Sequence, residues 1–89
     1  MAVNARLQDS ELPITAAIRR GPQGAWVIFN DGHRGYYARR FYISSMMTLA
    51  SSDTIEGENL DDVRARLPEG LENLGRCELD EPQVVETWA

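Results

Sequence analysis

The chain has 89 residues, of which 43% are hydrophobic and 26% are charged, and its formal net charge is −5 at pH 7. This length and composition predict one small folded domain and exclude a wholly disordered chain. The longest nearly uncharged stretch, residues 41–52, is too short to span a bilayer, so we expect no membrane partner. The first ten residues lack the apolar core of a signal peptide, and we therefore expect a cytoplasmic protein.

Residues with catalytic or metal-binding chemistry are scarce. Cys77 is the single cysteine and His33 the single histidine, which excludes an intramolecular disulfide and falls short of a zinc ligand set. His33 lies near Asp31 and is the one candidate general base, but we interpret it as a solvated turn residue. No glycine-rich loop leads from a strand into a helix. We therefore predict no enzyme activity, no metal and no cofactor.

The charges are unevenly distributed along the chain, and all nine basic residues are arginines. Residues 1–45 hold six arginines against three acids, a balance of +3, whereas residues 46–89 hold three arginines against eleven acids, a balance of −8. Either the acidic half docks against a basic sheet of the same chain, or it offers its charge to a basic partner.

In chain order, residues 1–11 are polar and aperiodic and predict a flexible N-terminal arm, and residues 12–89 predict a single small α+β domain. This domain opens with three segments rich in β-branched and aromatic residues, which predict an antiparallel meander. The predicted strands are residues 12–20, 25–29 and 33–39, and the turns between them are Gly21–Gly24 and Asp31–Gly32.

The length of the second turn fixes which side chains share a face of this sheet. A two-residue loop at Asp31–Gly32 pairs Trp26 with Tyr37, and directly paired residues lie on the same face. This register places Arg19, Trp26, Tyr37 and Arg39 together on a mixed aromatic and basic face. The opposite, predicted core face carries Ile14, Ala16, Ile18, Val27, Phe29, Tyr36 and Ala38.

The second half of the chain predicts two short helices and a strand. Residues 40–50 show apolar spacing typical of a helix, with Met46 and Met47 as core residues, although a fourth strand is the alternative. Asn59 is a predicted N-cap of a helix that ends before Pro68. Residues 71–75 predict one further helical turn. The segment Val84–Trp88 predicts a strand that joins this sheet or a partner's sheet.

We expect a three- to four-stranded antiparallel β-meander with two short helices, and the alternative fold is a small SH3-like β-barrel. Tyr, Trp and Arg are typical of interfaces, so we predict a non-enzymatic protein-binding or regulatory module, such as an acidic inhibitor or adaptor. The alternative is a single-stranded nucleic-acid-binding domain that uses the same face. Homodimerisation is a further hypothesis. The predicted binding surface consists of Arg19, Trp26, Tyr37, Arg39 and Trp88.

Overall fold

The computed structural model of the chain describes residues 11–79 and 83–89. These residues form an α+β fold in which one six-stranded mixed sheet carries a short helix on each face. In space the strands follow the order β1-β5-β6-β2-β3-β4, and only β1 and β5 are parallel. The elements are β1 (Glu11–Pro13), α1 (Ile14–Arg20), β2 (Ala25–Asp31), β3 (Gly35–Ile43), β4 (Leu49–Glu56), α2 (Leu60–Arg66), β5 (Asn73–Glu78) and β6 (Val84–Trp88).

The sheet is open, so the barrel alternative is wrong for the residues that the structure describes. The α+β class is confirmed, but a meander of three or four strands accounts only for β2, β3 and β4. The predicted flexible arm, residues 1–11, lies almost wholly outside the described residues, and its last residue, Glu11, begins β1. No helix within the described part of the chain is long and apolar enough to cross a membrane.

The predicted first strand is wrong, because residues 14–20 form helix α1. Pro13 has extended backbone angles and precedes the first helical residue, so it separates the short β1 from α1. Ala17 and Ile18 are buried against the sheet, and Arg19 and Arg20 occupy the last turn, where the helix dipole favours cations. The predicted turn at Gly21–Gly24 is confirmed, and it leads from α1 into β2.

The β2–β3 hairpin exists, but its predicted register is wrong. Asp31 pairs with Gly35 across a three-residue loop, and Trp26 consequently pairs with Arg40 rather than with Tyr37. The left-handed residue that closes the loop is Gly35, at φ +82°, and not Gly32. Because side chains alternate between the faces of a strand, this odd shift moves Trp26 and Tyr37 to opposite faces.

The predicted helix over residues 40–50 is also wrong, and the fourth-strand alternative is correct. β3 continues to Ile43, a tight turn follows, and β4 begins at Leu49 and pairs antiparallel with β3. An extra residue of β4, Asp53, bulges between the partners of Arg39 and Arg40 and has a φ of +51°. This bulge interrupts the exposed edge of the sheet.

The predictions for α2 and β6 are confirmed, whereas the predicted helical turn at residues 71–75 is wrong. Asn59 caps α2 by accepting a hydrogen bond from the backbone N–H of Asp62 at 2.9 Å, and the helix ends before Pro68. Residues 73–78 form β5 instead of a helix. β6 completes this chain's own sheet and lies between β5 and β2.

The core has two parts, one on each face of the sheet. On the first face α1 packs against β1, β2, β3 and β5, and it covers Val27 and Phe29. On the second face α2 packs against β3 and β4, and its Val63 belongs to the cluster that contains Trp26 and Ile28. The two helices are therefore offset across the sheet: α1 packs against the strands from β1 to β3, whereas α2 packs against β3 and β4.

Candidate interaction surface

The five sequence-predicted binding residues do not form one surface. Trp26 is 8% exposed and belongs to the core beneath α2, whereas Tyr37 packs beside the core on the α1 face. Trp88 pairs with Trp26 and is half-buried on the α2 face. Arg19 is exposed at the end of α1. Tyr37 and Arg39 alone remain neighbours on one face of one strand, because they are two residues apart on β3.

The part of the α1 face around the β3–β4 hairpin extends beyond the strands that α1 covers. α1 packs against β1, β5, β2 and β3, and a single helix about 10 Å across leaves the β4 edge of the six-stranded sheet open on this face. Strand alternation and pairing place the side chains of both strands on this open area. We define the hairpin surface as Tyr37, Arg39, Ile43, Leu49 and Ser51 of this face together with Met46 and Met47 at the turn.

The turn of the β3–β4 hairpin holds two methionines in water. Met46 is 82% exposed and Met47 is 81% exposed. The turn is well bonded: the backbone N–H of Ser44 donates to the carbonyl of Thr48 at 2.8 Å, and the two hydroxyls are 2.8 Å apart. Met47 has a φ of +62°, a conformation that costs a side-chain-bearing residue about 1 kcal/mol. Ordered backbone thus presents two flexible apolar side chains to solvent.

Ile43 and Leu49 extend this apolar area onto the sheet. They face each other across the first pair of the β3–β4 ladder, and they are 37% and 45% exposed. Scattered exposed apolar residues are normal, but all four exposed large hydrophobic residues of the described chain lie at this end of the hairpin, and such a concentration is typical of interaction sites. Methionine suits such a site because its thioether chain adapts to differently shaped partners.

Aromatic and arginine side chains alternate along β3 next to the patch. The Arg39 guanidinium lies 5.9 Å from the centre of the Phe41 ring and covers that buried residue. The Arg34 guanidinium lies 5.0 Å from the Tyr37 ring, which in turn stacks on Phe29 with ring centres 5.3 Å apart. The aromatic and basic character predicted for the sheet is therefore present on the α1 face, without Trp26.

Arg39 differs from its neighbours in having no carboxylate partner among the described residues. Its Nη2 donates to the Ser51 hydroxyl at 2.8 Å. Six of the eight described arginines lie within 4.0 Å of a carboxylate, and Arg19 and Arg39 do not. Arg19 is exposed and solvated, whereas Arg39 is half-buried. The six paired arginines are Arg20, Arg34, Arg40, Arg64, Arg66 and Arg76.

Arg40, the adjacent residue, faces the other side of the sheet and is held by its own chain. Its Nε lies 3.1 Å from Asp53, its Nη1 donates to the carbonyl of Gln23 at 2.7 Å, and its Nη2 donates to the Ser52 hydroxyl at 2.9 Å. The guanidinium also lies 5.0 Å from the Tyr42 ring. These contacts assign Arg40 to the structure of the edge strand.

Ion pairs between the basic and acidic halves support the interpretation that the halves complement each other. Three of them join an arginine of residues 1–45 to an acid of residues 46–89. All three acids are more than 60% exposed, so each pair is screened by water and adds little stability. The pairs are Arg20–Glu72, Arg34–Glu56 and Arg40–Asp53.

Among the described ion pairs, the one with the most buried carboxylate lies on the α2 face and joins α2 to β6. The Glu86 carboxylate accepts hydrogen bonds from Arg64 and from the indole Nε1 of Trp88, the latter at 2.9 Å. The Glu86 side chain is 12% exposed, and these donors hold its pKa below its ordinary value of 4.5. Every partner belongs to this chain, so the network secures α2 on the sheet. Trp88 therefore contributes to the fold, because it donates to the Glu86 carboxylate and packs against the core on the α2 face.

Other titratable groups have structural roles. Asp31 accepts the backbone N–H of His33 at 2.8 Å within the β2–β3 turn, and this bond holds the pKa of Asp31 below its ordinary range. Burial raises the pKa of the Cys77 thiol, which is 3% exposed in the core beneath α1. Within residues 11–79 and 83–89, no three His, Cys, Asp or Glu side chains form a group that could hold a metal ion.

The α2 face also has a cavity of about 150 Å³ next to the turn that leads into β2. Pro22, Trp26, Pro68 and Leu71 supply its apolar lining. The cavity has room for little more than one side chain.

The sequence wrongly predicts that Met46 and Met47 are core residues, because their spacing from Tyr42 and Ile43 matches a helix. The signal that identifies a turn is Ser44-Ser45 directly before them, since serine hydroxyls bond to nearby backbone and compete with helix. The Ser44 hydroxyl accepts hydrogen bonds from the backbone N–H groups of Met46 and Thr48, both at 3.3 Å.

Comparisons of the chain with protein-family models, with curated proteins and with solved structures found no match.

Proposed function

We propose that this chain is a non-enzymatic protein-binding module and that the hairpin surface is its contact region. The observation that carries the proposal is the pair of methionines, each more than 80% exposed, at the end of a well-bonded turn. Exposed apolar side chains cost solubility, and the positive φ of Met47 separately lowers the stability of the fold. A partner that covers the turn removes the first of these costs.

The residue composition of the hairpin surface also supports the proposal of a protein partner. The hairpin surface combines Met, Tyr and Arg, the residue types enriched at protein interfaces. Its aromatic member, Tyr37, is fixed by stacking on Phe29, so little conformational entropy is lost when a partner contacts it.

Single-stranded nucleic acid remains the alternative partner. Tyr37 for stacking and Arg39 for phosphate favour it, but burial of Trp26 removes the second ring from the proposed platform. The net charge of −5 also opposes binding to a polyanion. We therefore place this alternative second.

The proposal is tested by capture of partners from a cell lysate with the tagged full chain, with and without nuclease, followed by mass spectrometry. Wild type is compared with the Met46→Ser/Met47→Ser double variant, which we expect to keep the fold because both side chains are exposed. We expect protein partners whose capture resists nuclease. The captured amount should fall at least about tenfold in the double variant, since two side chains that the partner would bury are lost.

The control is Ala65→Ser, which alters an exposed position of α2 on the other face. It is expected to capture the same partners as wild type. Capture that is unaffected by the double variant would contradict the proposed surface. Capture that disappears with nuclease would favour the nucleic-acid alternative.

A further inference from the structure

We infer that the hairpin surface accepts a largely apolar segment of a partner protein, in which one carboxylate pairs with Arg39 and adjacent apolar side chains contact Ile43, Leu49 and the turn. This inference rests on the proposed function and adds the chemistry of the partner. It makes Arg39 the residue that determines specificity.

The first argument is the unused bonding capacity of Arg39. A guanidinium carries five N–H donors in a planar fork, and the described contacts of Arg39 use one of them, on Ser51. The residue is half-buried over Phe41, where a charge is less well hydrated than on an open surface. A carboxylate can accept two parallel hydrogen bonds from such a fork, so it is the side chain that best completes this site.

The second argument is the surroundings of Arg39 on the open face. Phe41 lies beneath it, and Ile43 and Leu49 follow one pleat further along the hairpin. A partner that covers these side chains removes water from the guanidinium, which strengthens its attraction to a carboxylate. The nearest acids along β4, Asp53 and Glu56, are already engaged by Arg40 and Arg34. The complementary segment therefore places one acid among apolar residues.

A second copy of this chain fits the site less well. Homodimer interfaces are usually two-fold symmetric, so the same patch meets itself. The hairpin surface would then bring two Arg39 guanidinium groups towards each other with no carboxylate of the patch free to separate them.

The test is selection from a phage library of random 12-residue peptides on the immobilised full chain, followed by affinity measurements with the selected synthetic peptides. Three baits are used: wild type, Arg39→Gln and Arg19→Gln. Gln keeps a donor for Ser51, and Arg19 is the matched control because it also lacks a described carboxylate partner but lies on α1. Thermal unfolding establishes that the three baits are equally folded.

We expect wild type to select peptides enriched in Asp or Glu beside Leu, Ile, Phe or Trp. Affinity for them falls at least about tenfold in Arg39→Gln, as charged hydrogen bonds predict, and is unchanged in Arg19→Gln. Arg39→Lys restores only part of the loss because an ammonium group lacks the fork.

The inference is overturned if the selected peptides are apolar and lack acids, or if acid-containing peptides bind Arg39→Gln as well as wild type. In either case the protein-binding proposal survives if Met46→Ser/Met47→Ser still abolishes peptide binding. Peptides that bind independently of both Arg39 and the methionines overturn both. Light scattering that shows a dimer disrupted by Met46→Ser/Met47→Ser makes a second copy the occupant and also overturns the inference.

Discussion

Met47 is exposed and has an unfavourable backbone conformation. The fold gains no stability from this residue, but its side chain is available for contact with a partner. At φ +62° its Cβ is crowded against its own carbonyl group, and its side chain gains nothing from the fold because it is 81% exposed. This combination is the pattern expected when a site is selected for contact rather than stability.

We predict that Met47→Gly stabilises the chain by about 1 kcal/mol, because glycine adopts positive φ without the steric cost. The same change should weaken capture of partners, since the anchor side chain is lost. Urea unfolding measures the first effect and the lysate experiment measures the second. The matched control is Met46→Gly, which removes an equally exposed side chain without a positive φ to relieve and should not stabilise. Equal stabilisation by both variants would contradict the argument from strain.

Glu86 is the residue whose charge matters most to the fold. Glu86→Gln keeps the shape but removes the charge that Arg64 and Trp88 bond to, so we predict a loss of about 2 kcal/mol in the free energy of unfolding. Chemical denaturation measures it. Glu69→Gln, an exposed change in the turn after α2, is the control and should be nearly neutral. A neutral Glu86→Gln would mean that the network is not needed to hold α2 on β6.

At the scale of elements, the sequence predicts helix caps and stops well, because local chemistry decides them, and it fails where burial or strand register decides. The Asn59 cap and the Pro68 stop are local, and both are confirmed. α1 was missed because its β-branched residues favour a strand, although Ile14, Ala17 and Ile18 have helical spacing; burial against β2 and β5 overrides that preference.

The β2–β3 turn shows why the candidate surface was only half predictable. Asp31-Gly32 is a strong two-residue turn signal, but Gly35 offers a second left-handed position, and the Asp31 side chain stabilises the longer loop by accepting the N–H of His33. One extra loop residue changes the pairing of every residue on β3. Tyr37 and Arg39 stayed together because they share a strand, whereas Trp26 depended on the register.

Gly24 joins the turn after α1 to β2, where the backbone passes against β3. It has a φ of +99°, and a Cβ there would lie 2.2 Å from the carbonyl oxygen of Phe41. We predict that Gly24→Ala destabilises the chain by several kcal/mol, since backbone strain and a backbone clash combine. Gly70→Ala, at φ +86° with no atom within 4 Å, isolates the strain and should cost about 1 kcal/mol. Thermal unfolding of both variants compares them, and equal losses would exclude the clash.

At the scale of the whole molecule, the acidic groups make stability depend on pH. The pKa values of Glu86 and Asp62 are lowered, the first chiefly by Arg64 and the second chiefly by the backbone N–H of Glu58. A carboxyl group whose pKa is lower in the folded state stabilises the fold above its unfolded-state pKa, and this contribution is lost as the pH falls through the folded-state value.

We therefore predict that the free energy of unfolding is steady near neutral pH and declines once the pH falls below about 4.5, the ordinary value for Glu86. Denaturant midpoints measured between pH 7 and pH 3 test this. The free energy of unfolding of Glu86→Gln should be lower than that of wild type at pH 7 and should decline less at acidic pH, because the variant lacks the titrating carboxyl group. Parallel curves for wild type and Glu86→Gln would show that Glu86 does not titrate differently in the folded and unfolded states.

The position of β6 has a consequence for how the chain acquires its structure during synthesis. β6 follows all the other described strands along the chain but lies between β5 and β2 in the sheet. A ribosome that has made residues 11–79 has produced β2, β3 and β4, which can pair with one another, while β1 and β5 contact them only through α1 because β6, the strand that pairs β5 with β2, is missing. Until residues 84–88 emerge, one edge of β2 is unpaired and open to other nascent chains or to chaperones. Insertion of this single strand then joins the two halves of the sheet in one late step.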